Sequence, residues 1–213
     1  LACLLDRINN TRTGHIITLE DPIEYLHKHD QCVVSQREIA IDTENYASAF
    51  RASLRQSPDV IQLGEMRDLN TIQTAVTAAE TGILMLANLH TGNAVNTIDR
   101  IIDVFPPQQQ HQIRIQLALS LETVICQKLL PTKEVRLVPA FEILHVKDAV
   151  RSLIREAKTH QIANVIATGA SEGMITMDQY LLKLFGEGIL TRDVLLRSCD
   201  NQDMIRRRLG MLH

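Results

Sequence analysis

Three short stretches of this sequence close an apolar run with acidic, amide or imidazole side chains. The first is Ile16-Ile17-Thr18-Leu19-Glu20-Asp21-Pro22-Ile23-Glu24. Here Pro22 stops any ladder or helix and leaves Glu20, Asp21 and Glu24 on a short turn. The second, Asp59-Val60-Ile61-Gln62-Leu63-Gly64-Glu65-Met66-Arg67-Asp68, presents Glu65 directly after a glycine. The third, Leu86-Ala87-Asn88-Leu89-His90-Thr91-Gly92, places an imidazole ahead of small residues. Each has an ordinary explanation when taken alone. A carboxylate after a strand commonly caps the next helix, and a lone histidine is commonly a hydrogen-bonded structural residue. At corresponding ends of neighbouring strands, the three together form a candidate site.

The elements that must position them are legible from two alternating periods. His15 to Leu19, Val60 to Leu63 and Ile83 to Leu89 are short apolar runs of the kind buried in a parallel sheet. Between them lie helical patterns: Tyr46, Ala49, Phe50 and Leu54, then Ile72, Ala75, Val76 and Ala79. The order strand, helix, strand, helix, strand calls for right-handed crossovers and an α/β sheet with helices on its faces. Ligands of such sheets sit beyond the carboxyl ends of the strands, where the three polar clusters fall.

Bulk composition removes several classes. With 213 residues, 45% hydrophobic and 22% charged, the chain has the make-up of a folded globular protein. A net charge of −3 gives no general field for nucleic acid, and the run Arg206, Arg207, Arg208 reads as the exposed end of a terminal helix. Cys3, Cys32, Cys126 and Cys199 stand far apart without a CxxC pair, so free thiols are expected, with neither a disulfide frame nor a structural metal. No apolar run approaches the roughly 18 residues needed to span a bilayer. A cytoplasmic protein that reaches a membrane only through partners is expected. The first residue is leucine, as expected of a fragment or a processed chain.

At the level of motifs the sequence resembles a known family. Glu20-Asp21-Pro22-Ile23-Glu24, Gly64-Glu65-Met66-Arg67-Asp68 and Leu89-His90-Thr91 look like the Asp box, Walker B region and His box of secretion-superfamily ATPases. With Val34-Ser35-Gln36-Arg37-Glu38 and Ala79-Glu80-Thr81-Gly82 between them, the spacing is similar to the type IV pilus retraction (PilT) branch. The likeness runs from Leu1 to about Gly188 and includes Thr159-His160-Gln161-Ile162. Ala149-Val150-Arg151-Ser152-Leu153-Ile154-Arg155-Glu156 resembles that family's AIRNLIRE segment, departing at Val150 and Ser152. Asn88 and Gly92 depart from the commoner wording around the His box.

The resemblance implies a RecA-like P-loop NTPase core, a parallel sheet flanked by helices, over residues 1–145. It implies a C-terminal helical region over 146–213. It also implies ATP and Mg2+ as cofactors and a cytoplasmic homo-hexamer acting in twitching motility. That hexamer would lie against the inner membrane through a pilus platform protein, with no nucleic acid and no membrane insertion. Hydrolysis needs magnesium on the phosphates, a group that orients water, and donors on the γ-phosphate. By resemblance Glu65 is the magnesium-associated carboxylate, Glu24 orients or deprotonates the water, and His90 donates to the γ-phosphate. Glu20, Asp21 and Thr91 are associated with the nucleotide and magnesium, although Glu20 and Asp21 equally suit a turn closed on backbone N–H groups. Ala149, Arg151, Leu153, Ile154, Arg155 and Glu156 would couple turnover to retraction, and the same spacing suits an ordinary packed helix. Arg37, Arg67, Arg100 and Arg114 are candidates for contacts in trans.

No G-x-x-x-x-G-K-[ST] occurs in the chain. The expectation is a truncation just after that loop: the first P-loop strand missing, two unpaired edges in the middle of the sheet, and Leu1 to Ile8 as the remainder of the following helix. Alone, the chain is expected to be inactive. Three other readings remain. A DNA-translocating motor lacks support from a basic stripe, with aromatics at only 3%. A pilus-assembly or type II secretion ATPase would carry a tetracysteine module where Leu130-Pro131-Thr132-Lys133-Glu134-Val135 passes straight into the next strand. The third is a P-loop-free scaffold or binding protein.

Overall fold

A computed structural model describes residues 1–66, 68–134 and 136–210; Arg67 and Val135, named above, lie outside them. The chain forms two compact units, Leu1–His90 with Val104–Ser120, and Thr91–Asp103 with the chain from Leu121 onward.

The first unit holds α1 (Ala2–Asn9), β1 (Gly14–Glu20), β2 (Cys32–Glu38), α2 (Tyr46–Leu54), β3 (Val60–Leu63), α3 (Leu69–Glu80) and β4 (Leu84–Ala87). The strands are all parallel, in the order β2-β1-β3-β4. One face buries Ile17, Leu19, Ile61 and Leu63 against Ala49 and Phe50 of α2 and Ala75 and Ala78 of α3. The other packs Ile16, Val34 and Val60 against Leu5 of α1. Burial on both faces explains why β1 and β3 are runs of Ile, Val and Leu without alternation. Each such side chain contributes about 1.5–3 kcal/mol of burial.

The expected α/β architecture is present, with two local differences. An additional strand, β2, lies between β1 and α2. It carries exposed Val33 and half-buried Ser35, Gln36 and Arg37, so it shows no buried apolar run. The unpaired edges expected in mid-sheet do not occur among the described strands: Ile16↔Val60 and Ile61↔Met85 pair β1, β3 and β4 without a gap, and the edges are β2 and β4.

The second unit opens with α4 (Ala94–Asp103); α5 (Pro107–Ser120) returns to the first unit, and an antiparallel hairpin follows. Its strands, β5 (Thr123–Pro131) and β6 (Leu137–His145), pair from Thr123↔His145 to Pro131↔Leu137. Then come α6 (Asp148–Arg155), α7 (Ile162–Thr168), α8 (Met177–Gly186), α9 (Arg192–Ser198) and α10 (Gln202–Arg208). A core of Leu130, Ala140, Met177, Leu181, Leu184, Leu190, Leu195 and Ile205 joins the hairpin to α8, α9 and α10. Compactness therefore groups residues on both sides of position 145. Arg206, Arg207 and Arg208 are exposed in the last turn of α10.

Candidate functional site

Glu20 ends β1 and is 9% exposed. Its Oε1 accepts hydrogen bonds from Thr18 Oγ1 at 2.6 Å and Gln36 Nε2 at 3.1 Å. Gln36 also donates to the Tyr25 carbonyl and accepts from the His27 N–H. Glu38 accepts the Ile23 N–H at 3.1 Å. Two β2 side chains thus strap down the segment after Pro22. Glu24 stands between its anchored neighbours Ile23 and Tyr25, with its own side chain exposed, and Asp21 is exposed beside it. The sequence marked this stretch as a motif but did not single out Gln36 and Glu38 as its anchors. Their contacts reach back 9 to 16 residues from a strand with no apolar signature.

β3 delivers Glu65 through a tight turn. The Gly64 N–H donates to the Leu19 carbonyl at 2.7 Å. A Cβ on Gly64 would meet the Tyr46 hydroxyl at 2.6 Å, so only glycine passes there without displacing Tyr46. The Met66 N–H reaches the Asn88 carbonyl at 3.2 Å, which ties this turn to the end of β4. The tie sets Glu65 Oε1 3.4 Å from His90 Nε2; the Glu65 side chain is 20% exposed and that of His90 83%. Asp68 is an N-cap instead: its Oδ1 accepts the Thr71 N–H at 2.9 Å and its Oδ2 the Thr71 hydroxyl at 2.7 Å. Burial acts to raise its pKa, but the bonds from Thr71, Asn70 and its own N–H outweigh that and hold it below the ordinary range.

The structure therefore joins Glu65 to His90 and sets Glu20 on the neighbouring strand, while Glu24 and Asp21 lie on the segment anchored to β2. Thr91 opens the second unit, where its hydroxyl meets that of Thr97 at 2.6 Å. On the α1 face, Gln36, Thr18 and Gln62 form one register row. Gln62 is 7% exposed and its buried Oε1 has no hydrogen-bond partner, an acceptor suited to water or to a donor on a ligand. Among the described residues no cluster of three or more His, Cys, Asp or Glu forms a protein-only metal centre. The set fits magnesium as nucleotide sites hold it, through one or two carboxylates with phosphates and water.

A profile described as type II/IV secretion system protein matches residues 1–177. The chain belongs to that family. It is 47% identical over 193 residues to the type IV pilus retraction ATPase PilT of Pseudomonas aeruginosa, covering 91% of this chain and 56% of that protein. It is 45% identical over 204 residues to a twitching motility protein of Neisseria gonorrhoeae, covering 95% and 54%. A crystal structure of the pilus retraction motor PilT with bound ADP superposes with a TM-score of 0.90 at 45% identity, covering 97% of this chain and 58% of that one. The chain spans a little over half the length of these relatives.

In this secretion-system family member, the AIRNLIRE-like segment forms α6. Val150 and Ile154 are buried, Leu153 is half-buried, and Ala149, Arg155 and Glu156 are exposed. Arg151 donates to Glu122 at 2.8 Å, Arg155 to Ser152 at 3.0 Å, and Glu156 pairs with Lys158 at 2.8 Å. The hydrogen bond from Lys158, then its charge, holds the Glu156 carboxyl below its usual range. Of the arginines considered for contacts in trans, Arg37 donates to Gln56 and Arg100 is exposed on α4. Arg114 buries its Nη1 without a hydrogen-bond partner. The cysteines are free: Cys3 is exposed, Cys32 and Cys126 buried, and Cys199 half-buried. No helix among the described residues is long and apolar enough to cross a membrane.

Proposed function

We propose that this chain supplies the hydrolytic strand ends and the output helix of an ATP-driven motor for type IV pilus retraction. The observation that carries the reading is the Glu65–His90 contact, at the adjoining ends of β3 and β4, on a sheet that superposes closely on a retraction motor. Bound Mg-ATP would supply the phosphoryl group and its charge-neutralising ion. Glu65, with Glu20 beside it, would hold the ion through its water, and Glu24 would orient the attacking water from its strapped segment. His90, exposed at the strand end, would donate to the γ-phosphate and pass its loss on to Thr91. Residues 1–145 act as the partial ATPase core. Residues 146–213 include α6, whose exposed Arg155 and half-buried Leu153 pass the change on. The working protein would be a cytoplasmic homo-hexamer gripping a platform protein at the inner membrane. The free, dispersed cysteines favour retraction over an assembly ATPase with a cysteine-held module.

The test is to replace Leu153 or Arg155 with Ala in the full-length protein. ATP hydrolysis stays within about twofold while pilus retraction in the source cell is abolished, as expected for an interaction outside the transition state. Retraction that survives both changes reduces α6 to packing.

A further inference from the structure

Inside the second unit a single buried carboxylate holds the first residues of two helices. Glu142, on β6, is 7% exposed. Its Oε1 accepts the Ala94 N–H at 2.7 Å and its Oε2 the Met177 N–H at 3.5 Å. Ala94 begins α4 and Met177 begins α8, so both N–H groups lack a partner within their own helix. Both helix dipoles point their positive ends at this carboxylate. Directly opposite Glu142 in the hairpin stands Cys126, whose Sγ lies 3.9 Å from Thr97 Oγ1. Burial first, then the Glu142 charge, pushes the Cys126 thiol up to about 11.

The two facing residues of the hairpin therefore grip the same first turn of α4. Thr97 donates its one hydroxyl proton to the Asn93 carbonyl at 2.8 Å, so in the 2.6 Å contact Thr91 is the donor and Thr97 the acceptor. Thr91 directly follows His90 in the chain, and Ala94 closes the short link between them and α4.

We propose that Glu142 is a positioning residue for His90: by fixing Ala94 it sets the start of α4, and through Thr97 it holds Thr91, the residue joined to His90 by the next peptide bond. This rests on the reading of His90 as a γ-phosphate donor. A purely structural cap would stabilise α4 and α8 without touching turnover, whereas a positioning role makes turnover depend on how firmly Thr91, the chain neighbour of His90, is held. Glutamine at 142 has nearly the same volume but replaces one acceptor oxygen with a donor NH2. One of the two helix starts then faces a donor and is released.

The experiment compares Glu142→Gln, Thr97→Val and His90→Ala with wild type in the full-length protein. It follows amide exchange over residues 91–97 and steady-state hydrolysis of Mg-ATP. Amide exchange in that segment is expected to accelerate about tenfold in Glu142→Gln, and kcat to fall about tenfold with KM within twofold. Thr97→Val, which keeps the carboxylate and removes only the relay hydroxyl, is expected to lower kcat in the same direction, and it decides the matter if Glu142→Gln does not fold. Unchanged exchange over residues 91–97, or accelerated exchange with wild-type kcat while His90→Ala is impaired, would overturn the proposal. A fully active His90→Ala protein would instead overturn the reading of His90 on which it rests, and the proposal with it.

Discussion

At the carboxyl end of the parallel sheet, His90 keeps 83% of its side chain in solvent and meets Glu65 at a loose 3.4 Å. Within the second unit, Glu142 and Asp178 are each only 7% exposed and have both carboxylate oxygens on backbone N–H groups. The difference follows from the cost of desolvation. A carboxylate withdrawn from water must be repaid by donors that do not move, and helix N-termini and loop amides supply them. A group that has to engage a ligand and let it go must keep room for it. Glu20 lies between the two extremes, buried but bonded only to the side chains of Thr18 and Gln36.

Changes at the sheet end should abolish turnover without unfolding the protein, and removal of the Asp178 carboxylate should do the reverse. The largest effect short of Glu65 is expected at Glu24. Glu24→Gln in the full-length protein lowers kcat about 10²–10³-fold with ATP binding still measurable, because a base acting on water contributes to the transition state far more than to the ground state. His90→Ala falls between that variant and wild type in the same phosphate-release assay. Wild-type turnover in Glu24→Gln would move the water-orienting role to another carboxylate.

On the structural side, Asp178→Ala strands the Asp200 and Asn201 N–H groups. It is expected to cost about 2–3 kcal/mol in urea unfolding while kcat per folded molecule stays near wild type. A collapse of turnover in folded Asp178→Ala protein would blur the contrast between the two regions.

The smallest effect concerns Asp68. Its folded pKa is depressed, so its cap contributes stability above the unfolded pKa of about 3.9 and loses it as pH falls through the lower folded value. Asp68→Ala is expected to cost about 1 kcal/mol at pH 7, with the gap to wild type closing on acidification below about pH 4. A gap independent of pH would mean that the neutral acid caps α3 equally well.

What could be read from the sequence follows from how local each signal is. β1 and β3 were legible because burial on both faces leaves unbroken runs such as Val60 to Leu63, and α2 and α3 because Phe50 and Ile72 recur at helical spacing. Glu65 and His90 were legible because they close such runs. β2 was not, since an edge strand with Val33 exposed and Gln36 and Glu38 turned to a neighbouring loop has no apolar period. The continuity of the sheet was misjudged because strand pairing is non-local: β1 lies directly against β3, although β2 and α2 separate them in the chain. Glu142 carried no signal at all, as its partners lie 48 and 35 residues away.

Glu65 is proposed to work with the ion rather than merely to end a strand. Its most direct test is Glu65→Gln in the full-length protein, measuring Mg-ATP binding by titration calorimetry and phosphate release on the same sample. Turnover is expected to fall at least about 100-fold with affinity within about threefold of wild type, since the shape and packing behind Gly64 are kept and only the charge is removed. Full turnover in that variant would contradict that role.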